Sequence, residues 1–514
     1  KFLRTLQGAE AVEVSVASGL SIRDYKGVWH PRLAGAVPTI ENGLWKVRPD
    51  GTMEVTWNLR PNAVWHDGEP FTTEDILFTG QVAQADVAPN FRQNGQELIA
   101  GIEASTPQTF TVRWKAPYIR ADTLFNNDTE GTSIVFALPK HILERPLAEN
   151  KDGFLQLSYW SEDFIGTGPF KLKQFNRGSG ILLGAFDQYV LGRPKIDEFE
   201  IKFAGDASTQ IATILSGAAD MSLGHSLSVE QSAAVEPQWQ DGHVDNVGLR
   251  SRFALYPQFI NPSPAIVANL QFRKALMFAL DRQEMADSLQ RGRSPVAHTY
   301  MSSEDPIYPA VEPQLVKYEY DPRRAAQMIE GLGYTRGADG IFHDASGQRL
   351  AVEERATPGD LEVKIITSIR AYWQGAGVDS EAVPIPLQRQ SDQEYRATRG
   401  SFELTRRGTS LNQLSSFRSS ETPVPENGYL GGNISRYQSS EWDGLIERFF
   451  VTVPIPERTQ VVAQVMRHVS DNLNMMHIFY DMDPLFVANR LVNVHGRQTE
   501  SSPAWNISEW DVTS

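Results

Sequence analysis

Cysteine is absent from all 514 residues. Disulfides, thiolate metal sites and cysteine nucleophiles are therefore excluded together. Long hydrophobic runs are also missing: nowhere do about 18 consecutive apolar residues occur, so no transmembrane helix is predicted. Internal repeats, low-complexity linkers, heptads and collagen triplets do not appear. Basic charge is in deficit, with 48 Lys and Arg against 63 Asp and Glu and a net charge of -15. That balance disfavours nucleic acid or an anionic membrane as partner at the level of the whole surface. The opening Lys1-Phe2-Leu3-Arg4-Thr5 shows no signal-peptide pattern, as expected for a processed or trimmed form of an exported chain.

The usual catalytic signatures are equally scarce. Ten histidines include no pair three to five residues apart, which removes a helical His-x-x-x-His metal clamp, and His66, His141 and His477 read as structural. Gly131-Thr132-Ser133 and Gly408-Thr409-Ser410 both lack the closing glycine of a nucleophile elbow. No Walker A sequence occurs. Gly166-Thr167-Gly168-Pro169 lacks the third glycine of a dinucleotide loop and reads as a turn entering a strand at Phe170-Lys171-Leu172. Asp67, Glu69, Glu74 and Asp75 form an acidic cluster, but turn and capping chemistry account for Asp67 and Asp75. No metal or cofactor is expected.

What is present is an ordinary globular composition, 41% hydrophobic and 22% charged, enough apolar material for large cores. The length exceeds the roughly 250 to 300 residues one core supports, so two or more lobes are expected. Met53, Val55, Trp57 and Leu59 alternate with Glu54, Thr56, Asn58 and Arg60 as a strand after the Asp50-Gly51 turn. Asp67-Gly68 turns the chain again, and Thr72 with Asp75 three residues on predicts a capping box for a helix carrying Ile76 and Leu77. Thr109 to Trp114 alternates as another strand. Asp206 is placed to cap a helix ending near Gly217. Asp321-Pro322 opens a helix whose Ala325, Met328, Ile329 and Leu332 fall on one face. Val462, Val465, Met466, Val469 and Leu473 form a further apolar stripe. Alternating strands and helices favour α/β or α+β lobes.

The run from Asp50 to Ile76 resembles the signature region of ABC-importer solute-binding proteins, the family that includes oligopeptide-, dipeptide- and nickel-binding proteins. Gly166 to Leu172 resembles its Gly-Thr-Gly-Pro segment. Phe186-Asp187-Gln188-Tyr189 and Gly192-Arg193-Pro194-Lys195-Ile196-Asp197 follow in the family's order, as do Asp206-Ala207-Ser208-Thr209 and Leu215-Ser216-Gly217-Ala218-Ala219-Asp220. Phe272-Arg273-Lys274-Ala275-Leu276 with Asp281-Arg282 is similar to the family's Arg-x-Ala helix. Tyr320-Asp321-Pro322, Leu332-Gly333-Tyr334, and Gly432-Asn433 with Tyr437, Glu441 and Asp443 complete a series extending from about residue 30 to 510. Each motif is weak alone, and their shared order is strong. Family members carry a β-strand ahead of the region resembling Ala11 to Ile22; no strand pattern is found there in this chain.

The resemblance implies an α/β, two-lobed periplasmic-binding-protein fold of type II, with a hinge and an interlobe ligand cleft. Lobe I would comprise 1–252, including an extra subdomain, plus 482–514; lobe II would comprise 253–481. It implies a monomeric, periplasmic or extracellular binding protein, possibly tethered as a lipoprotein, that delivers a peptide, peptide-like, opine-like or sugar-conjugate solute to an ABC permease. Peptide-binding relatives place an Asp shortly after the segment resembling Phe402-Glu403-Leu404. Here the stretch reads Arg406-Arg407-Gly408-Thr409-Ser410-Leu411-Asn412-Gln413. Arg406 or Arg407 in place of that Asp favours a carboxylate, phosphate or other anionic group. Strand alternation sends the two side chains to opposite faces, so at most one of them is expected to reach the cleft, and surface charges are the other reading of both. Gln7, Gly8, Ala9 and Glu10, then Asn126, Asn127 and Asp128, then Arg355 and Thr357, and finally Asn412, match ligand-lining stretches of relatives. Oligopeptide binding stays open if Glu10 or Asp128 supplies the missing carboxylate. Two alternatives are an exported α/β hydrolase of glycosidase type, which predicts turnover and a close acid pair, and a receptor on the same fold serving a sensor.

Overall fold

The computed structural model describes residues 9–85, 95–126, 136–223, 227–496 and 501–513. Gln7, Gly8, Asn127 and Asp128 lie outside them. The chain separates into two compact units. Unit 1 is Lys1–Gly248 with Phe450–Val453 and Asp483–Ser514, and unit 2 is Leu249–Phe449 with Pro454–Met482.

In unit 1, helix α1 (Ala9–Val16) is followed by a four-stranded antiparallel sheet of β1 (Trp45–Val47), β2 (Met53–Asn58), β3 (Ile99–Thr106) and β4 (Thr109–Trp114), in the order β1-β2-β4-β3. The expected alternation of β2 is observed. Met53, Val55 and Trp57 are buried while Glu54, Thr56 and Asn58 turn outward, and Val55 and Trp57 pair with Val112 and Phe110 on β4. Helix α2 (Thr73–Gln84) starts with the expected capping box: Glu74 N donates to Thr72 Oγ1 at 3.3 Å and Thr72 N donates to Asp75 Oδ2 at 3.0 Å. Asp75 Oδ1 also accepts from Lys140 N at 3.0 Å, and Trp65 Nε1 donates to Oδ2 at 3.3 Å. The carboxyl is thus fully occupied in holding structure, and its burial raises its pKa.

A second sheet of unit 1 runs β5 (Phe170–Asn176), β6 (Gly180–Ala185) and β7 (Glu198–Lys202) in sequential antiparallel order. The Gly166–Pro169 turn enters β5 as expected. Gly168 has no room for a side chain, because a Cβ would fall 2.4 Å from the backbone carbon of Val16 at the end of α1. His66 ties this turn down: Gly166 N donates to its Nδ1 at 3.1 Å, so Nε2 carries the proton donated to Gly168 O at 3.0 Å. Burial opposes the charged form, with the Lys171 charge acting in the same direction, and the pKa falls to about 4. The group is depressed from an unfolded value of 6.5, so the unfolded chain takes up the proton first and stability is lost as pH falls below 6.5. We expect His66 to remove about 2 kcal/mol of unit 1 stability by pH 5. Denaturant unfolding at pH 7.5 and 5 measures it, and a His66→Asn variant with the same pH slope as the parent would contradict it. Helix α3 (Ala207–Leu215) follows, capped by Asp206, which accepts from Thr209 N at 2.9 Å.

Strand β8 (Gly242–Pro257) carries the chain across the unit boundary. Unit 2 continues with helices α4 (Leu270–Phe278), α5 (Arg282–Leu289) and α6 (Pro322–Gly331), strand β9 (Ala351–Ala356), helix α7 (Asp360–Ala376), strands β10 (Asp379–Pro384) and β11 (Phe402–Gly408), helix α8 (Ile455–Asn472) and the first half of strand β12 (Met476–Ala488), which carries the chain back into unit 1. The five strands form one sheet in the order β10-β9-β11-β8-β12. β9 runs parallel to β10 and β11, and β11 runs antiparallel to β8. Asp321 caps α6 and accepts from Arg324 N at 2.9 Å, with Pro322 at the first helical position. The unit 2 core joins Phe253, Leu255, Val352, Phe402 and Leu404 of the sheet to Ile365, Ile366, Ile369 and Trp373 of α7. The stripe Val462, Val465, Met466 and Val469 of α8 is buried as its spacing predicts, with Leu473 just beyond.

Candidate functional site

β11 sits between β9 and β8, so its side chains are placed by partners distant in sequence. Phe402 and Leu404 enter the core, and alternation places Glu403, Thr405 and Arg407 on the other face. The two arginines at its end have different electrostatic surroundings. Arg406 Nη1 lies 3.0 Å from Asp481 Oδ2 on β12, and that carboxylate, 3% exposed, also accepts from Gln290 Nε2 at 3.3 Å. The charge of Arg406 is thereby compensated within unit 2.

Arg407 has no such compensation. Its Nη1 donates to Gly432 O at 3.0 Å, and its guanidinium lies 5.6 Å from each of the rings of Tyr256 and Phe417. Directly opposite it across the antiparallel ladder is Arg252, which is fully buried. Arg252 Nη1 donates to Arg407 O at 2.8 Å and also to Gly408 O, and its guanidinium stacks 3.9 Å from the centre of the Tyr300 ring. Tyr300 in turn meets Phe417 edge-on at 5.3 Å. Among the described residues neither Arg252 nor Arg407 has a carboxylate within ion-pair distance, and Arg252 Nε has no partner at all. Like charges opposite one another on paired strands repel, and a buried cation without a counter-ion is costly. Carbonyls and aromatic faces relieve part of this. An anion at the half-buried Arg407 would relieve more.

The other residues singled out by sequence are distributed as follows. Asn412 is buried in the turn after β11, where its backbone N donates to Ser410 Oγ at 3.2 Å. Arg355 on β9 is ion-paired with Glu353 and lies 4.6 Å from the Tyr395 ring, which Arg389 faces from 4.0 Å. Thr357 is half-buried in the connection from β9 to α7. In unit 1, Ala9 is buried and Glu10 half-buried at the start of α1, and Asn126 is fully buried. Both ends of the Asn126 amide are engaged: Ser21 N donates to Oδ1 at 2.7 Å, and Nδ2 donates to Asp122 O at 2.9 Å. Arg406, Arg407 and Asn412 therefore share one end of the unit 2 sheet. Sequence reasoning missed Arg252, Tyr256, Tyr300 and Phe417. The alternating Ser251 to Tyr256 stretch signals a strand, but its register against β11 is visible only in three dimensions.

Residues 36–422 match a family model described as bacterial extracellular solute-binding proteins, family 5, middle. Among curated relatives, the oligopeptide-binding protein AppA of Bacillus subtilis is 27% identical over 316 residues, covering 60% of this chain and 54% of that protein. Heme-binding protein A of Haemophilus influenzae is 23% identical over 454 residues, covering 82% and 76% respectively. The chain spans about half the length of the first curated relatives it matches. Among solved structures, NikZ from Campylobacter jejuni in complex with Ni(L-His) is similar with a TM-score of 0.73 and 22% identity, over 98% of this chain and 96% of that one. CtaP from Listeria monocytogenes gives 0.76 at 18% identity, over 98% and 95%.

Proposed function

Because the chain belongs to the bacterial extracellular solute-binding proteins of family 5, we propose that it is the solute-capturing component of an ABC importer, and that its solute carries an anionic group held by Arg407. The observation that supports the anionic preference is the Arg252–Arg407 pair, two cations in register on adjacent strands with no carboxylate among the described residues to balance them. Arg407 presents a planar donor fork that suits a carboxylate or phosphate. Arg406 is the weaker candidate because Asp481 already occupies it. The solutes named for two relatives, an oligopeptide and Ni(L-His), both bear a carboxylate. Peptides, opine-like acids and phosphorylated sugar conjugates share this chemistry.

The protein acts as a monomer outside the cytoplasm, by binding and release to a permease without chemical turnover. No helix among the described residues is long and apolar enough to cross a membrane. A micromolar solute supplies about 8 kcal/mol of binding free energy, so the site must be largely preformed. Native mass spectrometry of freshly purified protein, followed by identification of what co-purifies, tests the reading. A stoichiometric anionic compound is the expected result. Capture of only neutral or cationic solutes would overturn the anionic preference, and release of a chemically altered solute would overturn binding without turnover.

A further inference from the structure

The chain just beyond Arg407 turns back across two glycines. Leu411–Phe417 forms a 3₁₀ turn in which Gln413 N donates to Ser410 O at 3.1 Å and Ser416 Oγ donates to Gln413 O at 2.7 Å. A Cβ at Gly408 would fall 2.9 Å from Gln413 Nε2, and one at Gly432 would fall 2.6 Å from Ser416 Cβ. Gly408 directly follows Arg407, and Gly432 O is the acceptor of Arg407 Nη1. The turn is therefore held close to Arg407 at both places, and a side chain at either glycine would push it away.

The amide of Gln413 has a defined orientation there. Tyr300, whose ring stacks against the Arg252 guanidinium, donates from its hydroxyl to Gln413 Oε1 at 3.3 Å. Nε2 is the end that lies nearer Gly408, and it has no acceptor among the described residues. Arg407 shares that condition, because its Nη1 is bonded to Gly432 O while Nε and Nη2 have no acceptor among the described residues. Both side chains are half-buried. Asn412, the amide selected from the sequence, is instead buried, and its Nδ2 donates to Ser410 Oγ at 3.4 Å. Arg252 Nη1 donates to Gly408 O, so the Gln413 amide and a buried cation meet at the same residue.

We propose that Gln413 is a specificity-determining residue of the solute site, its Nε2 donating to the same carboxylate or phosphate that Arg407 holds. The inference rests on the anionic reading given above and adds a second contact to it. Arg252 and Arg407 already face each other without a carboxylate, so a lysine or arginine at position 413 would add a third like charge. An aspartate or glutamate there would supply the missing counter-ion from within the chain and leave the solute none to compensate. A neutral amide whose oxygen is engaged by Tyr300 does neither. It contributes donors alone, which suits a group that only accepts.

The test follows Tm of the full chain, refolded free of solute, against the concentration of inorganic phosphate and of oxalate. Both anions are expected to raise Tm of the parent. Gln413→Ala should need about ten to a hundred times more of either anion for the same rise, the loss of one hydrogen bond to a charged group. Gly408→Ala keeps the amide but displaces it, and should shift the curves in the same direction. Gln413→Glu should abolish the rise and lift Tm of the anion-free protein by about 2 to 4 °C, because a carboxylate then lies near both arginines. Those opposite signs separate solute contact from a structural role, which would lower Tm in both Gln413 variants. Parent-like curves for Gln413→Ala would overturn the proposal, and so would binding of neither anion by the parent. The anionic reading is judged separately on Arg407→Ala, which loses the rise if that reading holds, whatever Gln413 does.

Discussion

Arg407→Ala is expected to weaken an anionic solute by about 2 to 4 kcal/mol, roughly 30- to 800-fold in Kd, with little change in folding stability. Removing Arg407 gives up its bond to Gly432 O and its contacts with Tyr256 and Phe417. It also removes a like charge directly opposite buried Arg252, and the two effects oppose each other. Arg406→Ala should show the converse. Asp481 is 3% exposed and would lose the Arg406 contact, which should destabilise unit 2 by about 1 to 2 kcal/mol, less than breaking a fully buried pair costs because Arg406 is partly solvated. Its effect on solute affinity should be small in protein that remains folded. Arg407→Lys keeps the charge and loses the fork, so an intermediate affinity is expected. Calorimetric titration with the co-purified solute, beside denaturant unfolding, separates these outcomes. Unchanged affinity in Arg407→Ala would remove the anionic reading.

The second large effect is expected at Glu354 on β9. This side chain is fully buried in the unit 2 sheet, where Ser380 Oγ lies 2.8 Å from each carboxyl oxygen. Burial raises its pKa to about 8, and neither the Ser380 hydroxyl nor the nearby Arg370 charge is enough to reverse the shift. The folded value exceeds the unfolded one, so the folded protein holds a proton that the unfolded chain releases. The stability associated with that proton is fully present below about pH 4.5 and is lost as pH rises towards 8. Glu354→Gln keeps the shape and abolishes the titration. The variant should gain on the parent by about 3 kcal/mol at pH 7 and by little at pH 4.5. Unfolding midpoints measured across pH 4.5 to 8 would show the difference widening, and a pH-independent difference would contradict the assignment. His477 and His298, also in unit 2, work in the other direction. Burial lowers both, His298 to about 4, so they withdraw stability as pH falls below 6.5. Between pH 4.5 and 6.5 the two effects oppose each other and the two histidines outweigh the one carboxyl, so these three groups together favour unit 2 most near pH 6.5.

Much of the local structure was legible in the sequence because it depends on neighbours within about four residues. The strand at Met53, the capping box of Thr72 and Asp75, the proline start of α6 and the stripe of α8 all rest on such short-range rules, and all are found where the pattern places them. The ordered family motifs, spread over most of the chain, identified the family as well. The candidate site was legible only in part. The Arg406-Arg407 pair and the lost Asp could be read directly, whereas the difference between the two arginines could not.

That difference lies with residues far along the chain. Asp481 stands 75 positions after Arg406, and strand pairing brings Arg252 opposite Arg407 from 155 positions before it. Composition, periodicity and caps determined the elements and the family. Tertiary structure alone decided which charges are compensated, because that is a property of through-space neighbours that local spacing does not encode.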